Sequence, residues 1–286
     1  ISHSQDTAGP MCRSVADAAL LYAALCGPDA ADPGTTAAPL DGTLDGPLRL
    51  DPGRLRGARL GIARNFFTGF DEADALIEQA IARLRALGAE IIDPIELAPV
   101  GYGDAETAVL LHEFKHGLGE WLGRFAPAAP VQSLAELIAF NKAQRSREMP
   151  WFGQELFEQA QALGGLDSPA YLAALAQCRR GARQDGLDHA FATHRLDAII
   201  APTGSPAWLI DPVAGDHYGA SFSTPAAVAG YPHLTVPAGL VRGLPIGLSF
   251  VGPAWSEALL LSLGLGFEQA GALRRPPRFV KRSVPI

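Results

Sequence analysis

Ala58-Arg59-Leu60-Gly61-Ile62-Ala63, then Glu72 to Leu87, then Gly88 and Ala89-Glu90-Ile91-Ile92 follow in the order strand, helix, strand. The first piece is a short apolar run. In the second, Ala73, Leu76, Ile77, Ala80, Ile81, Leu84 and Leu87 recur at the spacing of one helical face. Gly88 suits the position just past a helix end. Two strands joined this closely through a helix are expected to be parallel, with a right-handed crossover. The first loop, Arg64-Asn65-Phe66-Phe67, lacks the glycines of a dinucleotide fingerprint.

Outward from this unit the pattern alternates. Ser14-Val15-Ala16-Asp17 reads as a capping box that opens a helix through Leu25, stopped by Gly27-Pro28. Residues 28–57 form a long connection rich in Pro, Gly and Asp. Helices are predicted over 104–123, 133–144, 152–163 and 169–194. Strands are predicted at 196–201, 234–237 and 246–251, with a last helix over 256–269 and a basic, Pro-rich tail. One sheet interrupted by helices fits this order better than two independent domains. The predicted division is an α/β core over 1–103, a helical cap insertion over 104–195, and a return to the core over 196–286.

Composition excludes several classes. Of 286 residues 48% are hydrophobic and 19% charged, which is incompatible with disorder. No apolar run is long enough for a membrane span. The net charge of -7 disfavours a general nucleic-acid binder. Cys12, Cys26 and Cys178 are odd in number and far apart, so they are expected to be buried free thiols.

His112-Glu113-Phe114-Lys115-His116 matches H-E-x-x-H on a predicted helix. Histidines four apart share a face and could hold zinc, with Glu136 as a third ligand and Glu113 as base. The opposing expectation is a surface helix carrying polar side chains. No Gly-x-Ser-x-Gly elbow or P-loop is present. His233 at a strand entry is expected to pack rather than act as a base.

Two segments are unusually dense in Gly, Pro and small polar residues. One is Ser2-His3-Ser4-Gln5-Asp6-Thr7-Ala8-Gly9-Pro10-Met11, running into Arg13-Ser14-Val15-Ala16-Asp17-Ala18-Ala19. The other runs from Pro202-Thr203 through Ala229-Gly230-Tyr231-Pro232 and Val236-Pro237-Ala238-Gly239 to Gly243-Leu244-Pro245-Ile246-Gly247. They resemble the amidase signature family. The first is similar to the end of its signature region, S-x-D-x-x-G-P-x-x-R-x-V-x-D-A. The second is similar to its later P-T, A-G-x-P, V-P-x-G and G-L-P-x-G pattern. The resemblance covers essentially the whole chain and points to the bacterial peptide amidase branch through Glu113-Phe114-Lys115, the run from Ser133 to Asn141, and Phe152-Gly153-Gln154-Glu155-Leu156.

The resemblance implies a three-layer α/β/α fold with a mixed central sheet and a helical cap, of which this chain is the C-terminal portion. It implies hydrolysis of linear amides, with C-terminal peptide amides as expected substrates and no metal or cofactor. The chemistry implied is a lysine base acting through a cis-peptide serine on a nucleophilic serine. The family carries all three ahead of the segment found at Ile1. The chain's sole Gly-Gly, Gly164-Gly165, continues as Leu166-Asp167, not Ser-Ser. Of 23 cationic residues 20 are Arg, and none of Lys115, Lys142 and Lys281 is expected to be buried enough to act as a neutral base. The expected partner is therefore a missing N-terminal catalytic part, besides a small-molecule or peptide amide. No nucleic acid or membrane partner is expected, and nothing in the sequence names a compartment. Carried over by motif, Thr203, Gly204, Phe222 and Tyr231 are expected to border the substrate cleft. Asp6, Gly9 and Pro10 are expected to brace its floor, or else to form a turn into the first helix. Two other readings are a non-catalytic scaffold derived from an amidase and the amidase component of a tRNA-dependent amidotransferase. That component has an Arg pair after its F-G-x-E segment, where Gln154-Glu155-Leu156-Phe157-Glu158 stands here, and an Asp before its A-G-x-P segment that the region around Ser221 lacks.

Overall fold

A computed structural model describes residues 1–32, 34–35, 38, 48–97 and 102–277. The middle of the 28–57 connection and the tail from Arg278 with Lys281 lie outside them. Among the described residues, five strands form one mixed sheet: β1 (Arg59–Ala63), β2 (Glu90–Ile95), β3 (Ala198–Pro202), β4 (His233–Val241) and β5 (Leu244–Val251). Their order is β2-β1-β3-β5-β4. β1 runs parallel to β2 and β3, whereas β5 is antiparallel to β3 and β4. The 58–92 unit is thus the parallel pair its spacing predicts, with helix α2 over Asp71–Ala86, after α1 (Val15–Leu25). Gly88 takes φ 95° just past the end of α2.

Alternation along each strand sends side chains to two covered faces. Leu60, Ile62, Ile200, Leu248 and Phe250 meet Ile77, Ile81 and Leu84 of α2, with Leu263 and Phe267 of the last helix, Glu257–Gln269. The opposite face carries Ala63, Ile95, Ile199, Ala201 and Val251. Covering it are α3 (Gly103–Phe125), α7 (Pro169–Ala182), α8 (Asp188–His194) and α9 (Thr224–Ala229), through Val109, Cys178, Phe191 and Ala226. Between α3 and α7 lie α4 (Leu134–Ala143), α5 (Arg145–Glu148) and α6 (Glu155–Ala162). The Glu257–Gln269 helix is α10. Leu134, Ile138 and Ala160 form a small separate core against α3. Helix, sheet and helix are three layers, each sheet face dry enough that a single buried Leu contributes about 1.5–3 kcal/mol.

Several expectations change. The predicted helix over 169–194 is two helices joined by a π-helical turn over Arg183–Leu187. Gly186 lies so close to the Gly181 carbonyl that a Cβ there would stand 2.6 Å from its oxygen, a contact only glycine avoids. The strand predicted over 234–237 extends to Val241 because its register shifts between Pro237 and Gly239 and pairing resumes beyond. α9 falls among residues predicted as turns, being too short to show a helical period. At the 14–17 box, Ser14 accepts from the Asp17 N–H at 3.1 Å. The Val15 N–H reaches the Glu268 carboxylate on α10. Of the three thiols expected to be buried, only Cys178 is. Cys26 is half-buried and Cys12 exposed, because Cys12 precedes α1 on a segment outside the core.

Candidate functional site

Thr203 follows the C-terminal end of β3, the end at which open α/β sheets receive ligands. Its backbone is fixed on both sides: its N–H donates to Gly247 O at 2.9 Å, and its carbonyl accepts from Phe222 N–H at 3.2 Å. Gly204 is bridged to Ser221. Thr203, Gly204 and Phe222 are therefore brought together. The Phe222 side chain, however, is fully buried, between Phe66 at 4.8 Å and His233 at 6.1 Å between ring centroids. Its ring therefore offers no open surface.

Tyr231 packs against the same buried cluster as Phe222. Tyr231 donates to Asp188 at 2.6 Å, and Arg183 lies over its ring at 5.7 Å. Burial and the Asp188 carboxylate push its phenol up to about 12.

A hydroxyl ladder that the sequence did not announce starts at Thr203. Ser249, fully buried on β5, donates to Thr203 at 2.9 Å. Thr203 and Thr235 share a hydrogen bond of 2.6 Å, and His233 Nε2 lies 2.6 Å from Ser249 Oγ. With Ser249 donating onward, His233 is assigned as the Nε2–H donor, and the ladder ends at exposed Thr235. Burial pushes the His233 imidazole down to about 4, so the ladder is uncharged at neutral pH. Gly247 makes the pairing possible: a Cβ there would sit 2.5 Å from Thr203 Oγ1 and 2.6 Å from Thr235 Oγ1. The signal in sequence was alternation, Thr203 apart, of His233, Thr235 and Gly247, Ser249 on facing strands.

A second polar centre lies on α3. Glu113 has no exposed surface. Its Oε2 accepts from Ser2 Oγ, from Ser4 N–H at 3.1 Å and from Ser4 Oγ at 3.0 Å. Its Oε1 accepts from Tyr171 OH at 2.7 Å, with His3 Nε2 3.6 Å away. Burial pushes the Glu113 carboxyl up, but the bonds from Ser2, Tyr171 and Ser4 outweigh it and hold it below the usual value. Asp6 accepts the Ser2 N–H at 2.8 Å and returns its own N–H to Ser2 O at 2.8 Å, closing a turn. Gly9 is exposed and Pro10 half-buried on the way to α1.

The zinc alternative does not assemble. His112 is buried with Nδ1 2.8 Å from Ala108 O, and His116 faces Glu120 at 3.3 Å. Glu136 closes the start of α4 by accepting the Gln132 N–H. Among the described residues no three His, Cys, Asp or Glu converge as a metal site. The helix is not a plain surface helix either, since His112 and Glu113 face inward. Lys115 donates to Gln161 O at 2.9 Å and Leu163 O at 2.6 Å, capping the end of α6. Lys142 pairs with Glu158 at 2.8 Å. No helix among the described residues is long and apolar enough to cross a membrane.

Residues 1–261 match the Amidase family. Among solved structures, the chain superposes on the native peptide amidase from Stenotrophomonas maltophilia with a TM-score of 0.89 and 46% identity, covering 98% of this chain and 56% of that one. A peptide amidase in complex with the competitive inhibitor chymostatin gives 0.92 and 47%, over 98% and 57%. A probable amidase of Arabidopsis thaliana is 33% identical over 98% of this chain and 51% of its own length. A glutamyl-tRNA(Gln) amidotransferase component from Myxococcus xanthus is 31% identical, over 99% and 57%. The chain thus spans a little over half the length of these relatives.

Proposed function

The chain belongs to the amidase family, and from that premise we propose that it is part of an amide hydrolase whose nucleophile, relay serine and lysine base lie in sequence preceding these 286 residues. The substrates are linear amides, C-terminal peptide amides foremost. The observation that carries this reading is the close superposition of nearly the whole chain on peptide amidases. The lysines support it from within: Lys115 and Lys142 are engaged as a helix cap and an ion pair.

In this reading residues 1–103 and 196–286 are core and 104–195 an insertion of one amidase domain. Thr203 and Gly204 border the cleft, with Phe222 behind them. The ladder of hydroxyls and a neutral imidazole suits an uncharged amide, which it can bind without desolvating a charge. Tyr231 borders the cleft as well, its phenol held by Asp188. Asp6, Gly9 and Pro10 set the path of the chain into α1.

The test is ammonia release from a C-terminal peptide amide. The chain joined to its preceding segment is expected to release ammonia, and the 286 residues alone are expected to release none. Thr203→Ala in the joined enzyme should lower turnover about tenfold, the scale of one buried hydrogen bond. Full activity of the 286 residues alone, or of the Thr203→Ala enzyme, rejects the assignment.

A further inference from the structure

The Ser2–Asp6 turn is tied to the helical layer at a buried charge. An ionised carboxylate accepts about four hydrogen bonds, and Glu113 receives four, from Ser2 Oγ, Ser4 N–H, Ser4 Oγ and Tyr171 OH. The donors come from two separate pieces of chain, the N-terminal turn and α7, and the acceptor from a third, α3. Packing does not call for Glu here. An apolar side chain of similar volume would fill the space without the cost of desolvating a charge. Thermodynamically a fully paired buried charge is close to neutral, but geometrically it is demanding, because it is satisfied in one arrangement only. That arrangement fixes the height and rotation of the turn over α3. The turn is itself closed by the two Ser2–Asp6 hydrogen bonds. Holding it therefore also aims the residues that lead into it.

We infer that Glu113 is a positioning residue for amide hydrolysis: it anchors the Ser2–Asp6 turn and, through that turn, orients the preceding segment that bears the nucleophile. This rests on the function proposed above. Glu113 touches no reacting atom in this scheme. It acts as a fixed post between the helical layer and the catalytic segment, with Tyr171 setting its rotamer from α7. His112 packs on the Tyr171 ring at 5.5 Å and supports that setting.

The experiment uses the enzyme joined to its preceding segment, with Glu113→Gln and Ser4→Ala, and normalises turnover to folded protein by circular dichroism. A displaced nucleophile lowers kcat while leaving substrate binding in place. Glu113→Gln is expected to lower kcat about tenfold or more with KM changed less than about twofold. Ser4→Ala should move kcat the same way by a smaller factor, and hydrogen exchange at the Ser4 amide should quicken in Glu113→Gln. A merely structural role would lower the melting temperature and leave kcat of the folded fraction unchanged, which overturns the inference. So does a rise in KM alone. Where Glu113→Gln fails to fold, Ser4→Ala decides, because the Ser2–Asp6 closure survives in it. An unsubstituted enzyme that releases no ammonia from any amide rejects the proposed function and this inference with it. An active enzyme indifferent to position 113 and to Ser4→Ala rejects the inference alone.

Discussion

At His233 the direction of the pKa shift fixes the direction of a pH effect. Burial holds the folded imidazole near 4, below its ordinary 6.5. Between those values the unfolded chain binds more protons than the folded one, so stability falls as pH falls. The full contribution is present above about 6.5 and is lost by about 4, an effect on the order of 3 kcal/mol. His233→Gln keeps a group able to bond Ser249 and does not titrate. Its unfolding free energy, measured by denaturant titration across that range, is expected to be flatter with pH than the parent's; equal slopes would contradict the burial. Glu113 has a folded pKa below its usual value, so its contribution is lost lower still, as pH falls below the ordinary Glu range. Glu113 was legible as part of an H-E-x-x-H string but not as a buried anchor. Helical spacing says which residues share a face, and only the arrival of Ser2, Ser4 and Tyr171 says that this face is enclosed.

Among the elements, α3 and α6 meet through a cap. Lys115 gives two hydrogen bonds to carbonyls at the end of α6, where cationic groups also complement the helix dipole. Lys115→Met is expected to cost about 1–3 kcal/mol of stability, read as a shifted denaturation midpoint. It should leave amide turnover of the joined enzyme unchanged. Lost turnover with unchanged stability would instead mark Lys115 as a base. The amphipathic helix α2 was plain from periodicity, because it buries one continuous stripe of Ala73, Ile77, Ala80, Ile81 and Leu84. The break between α7 and α8 was not. The apolar spacing continues through Arg183–Leu187, and the π turn follows from the contact between Gly186 and the Gly181 carbonyl, which no pattern of hydrophobicity encodes.

For the whole molecule, surface chemistry leads to the last expectation. β2 and β4 are the edges of the described sheet, and α1 exposes Leu20 at 66% and Leu25 at 57%. The loop after Gly204 adds Leu209, Ile210 and Val213, each over four-fifths exposed. Open strand edges and apolar patches favour association. Light scattering of the isolated 286 residues is expected to give a mass well above 30.1 kDa; a monomer that melts cooperatively would contradict this. Layer order, the parallel 58–92 unit, the main helices and the family could all be read along the chain, because they depend on periodicity and on contiguous motifs. The meeting of Thr203 with Ser249, Thr235 and His233 and the hold of Glu113 on the Ser2–Asp6 turn came only with the folded arrangement. They depend on strand register and on side chains more than a hundred residues apart meeting in space, and neither is written in local spacing.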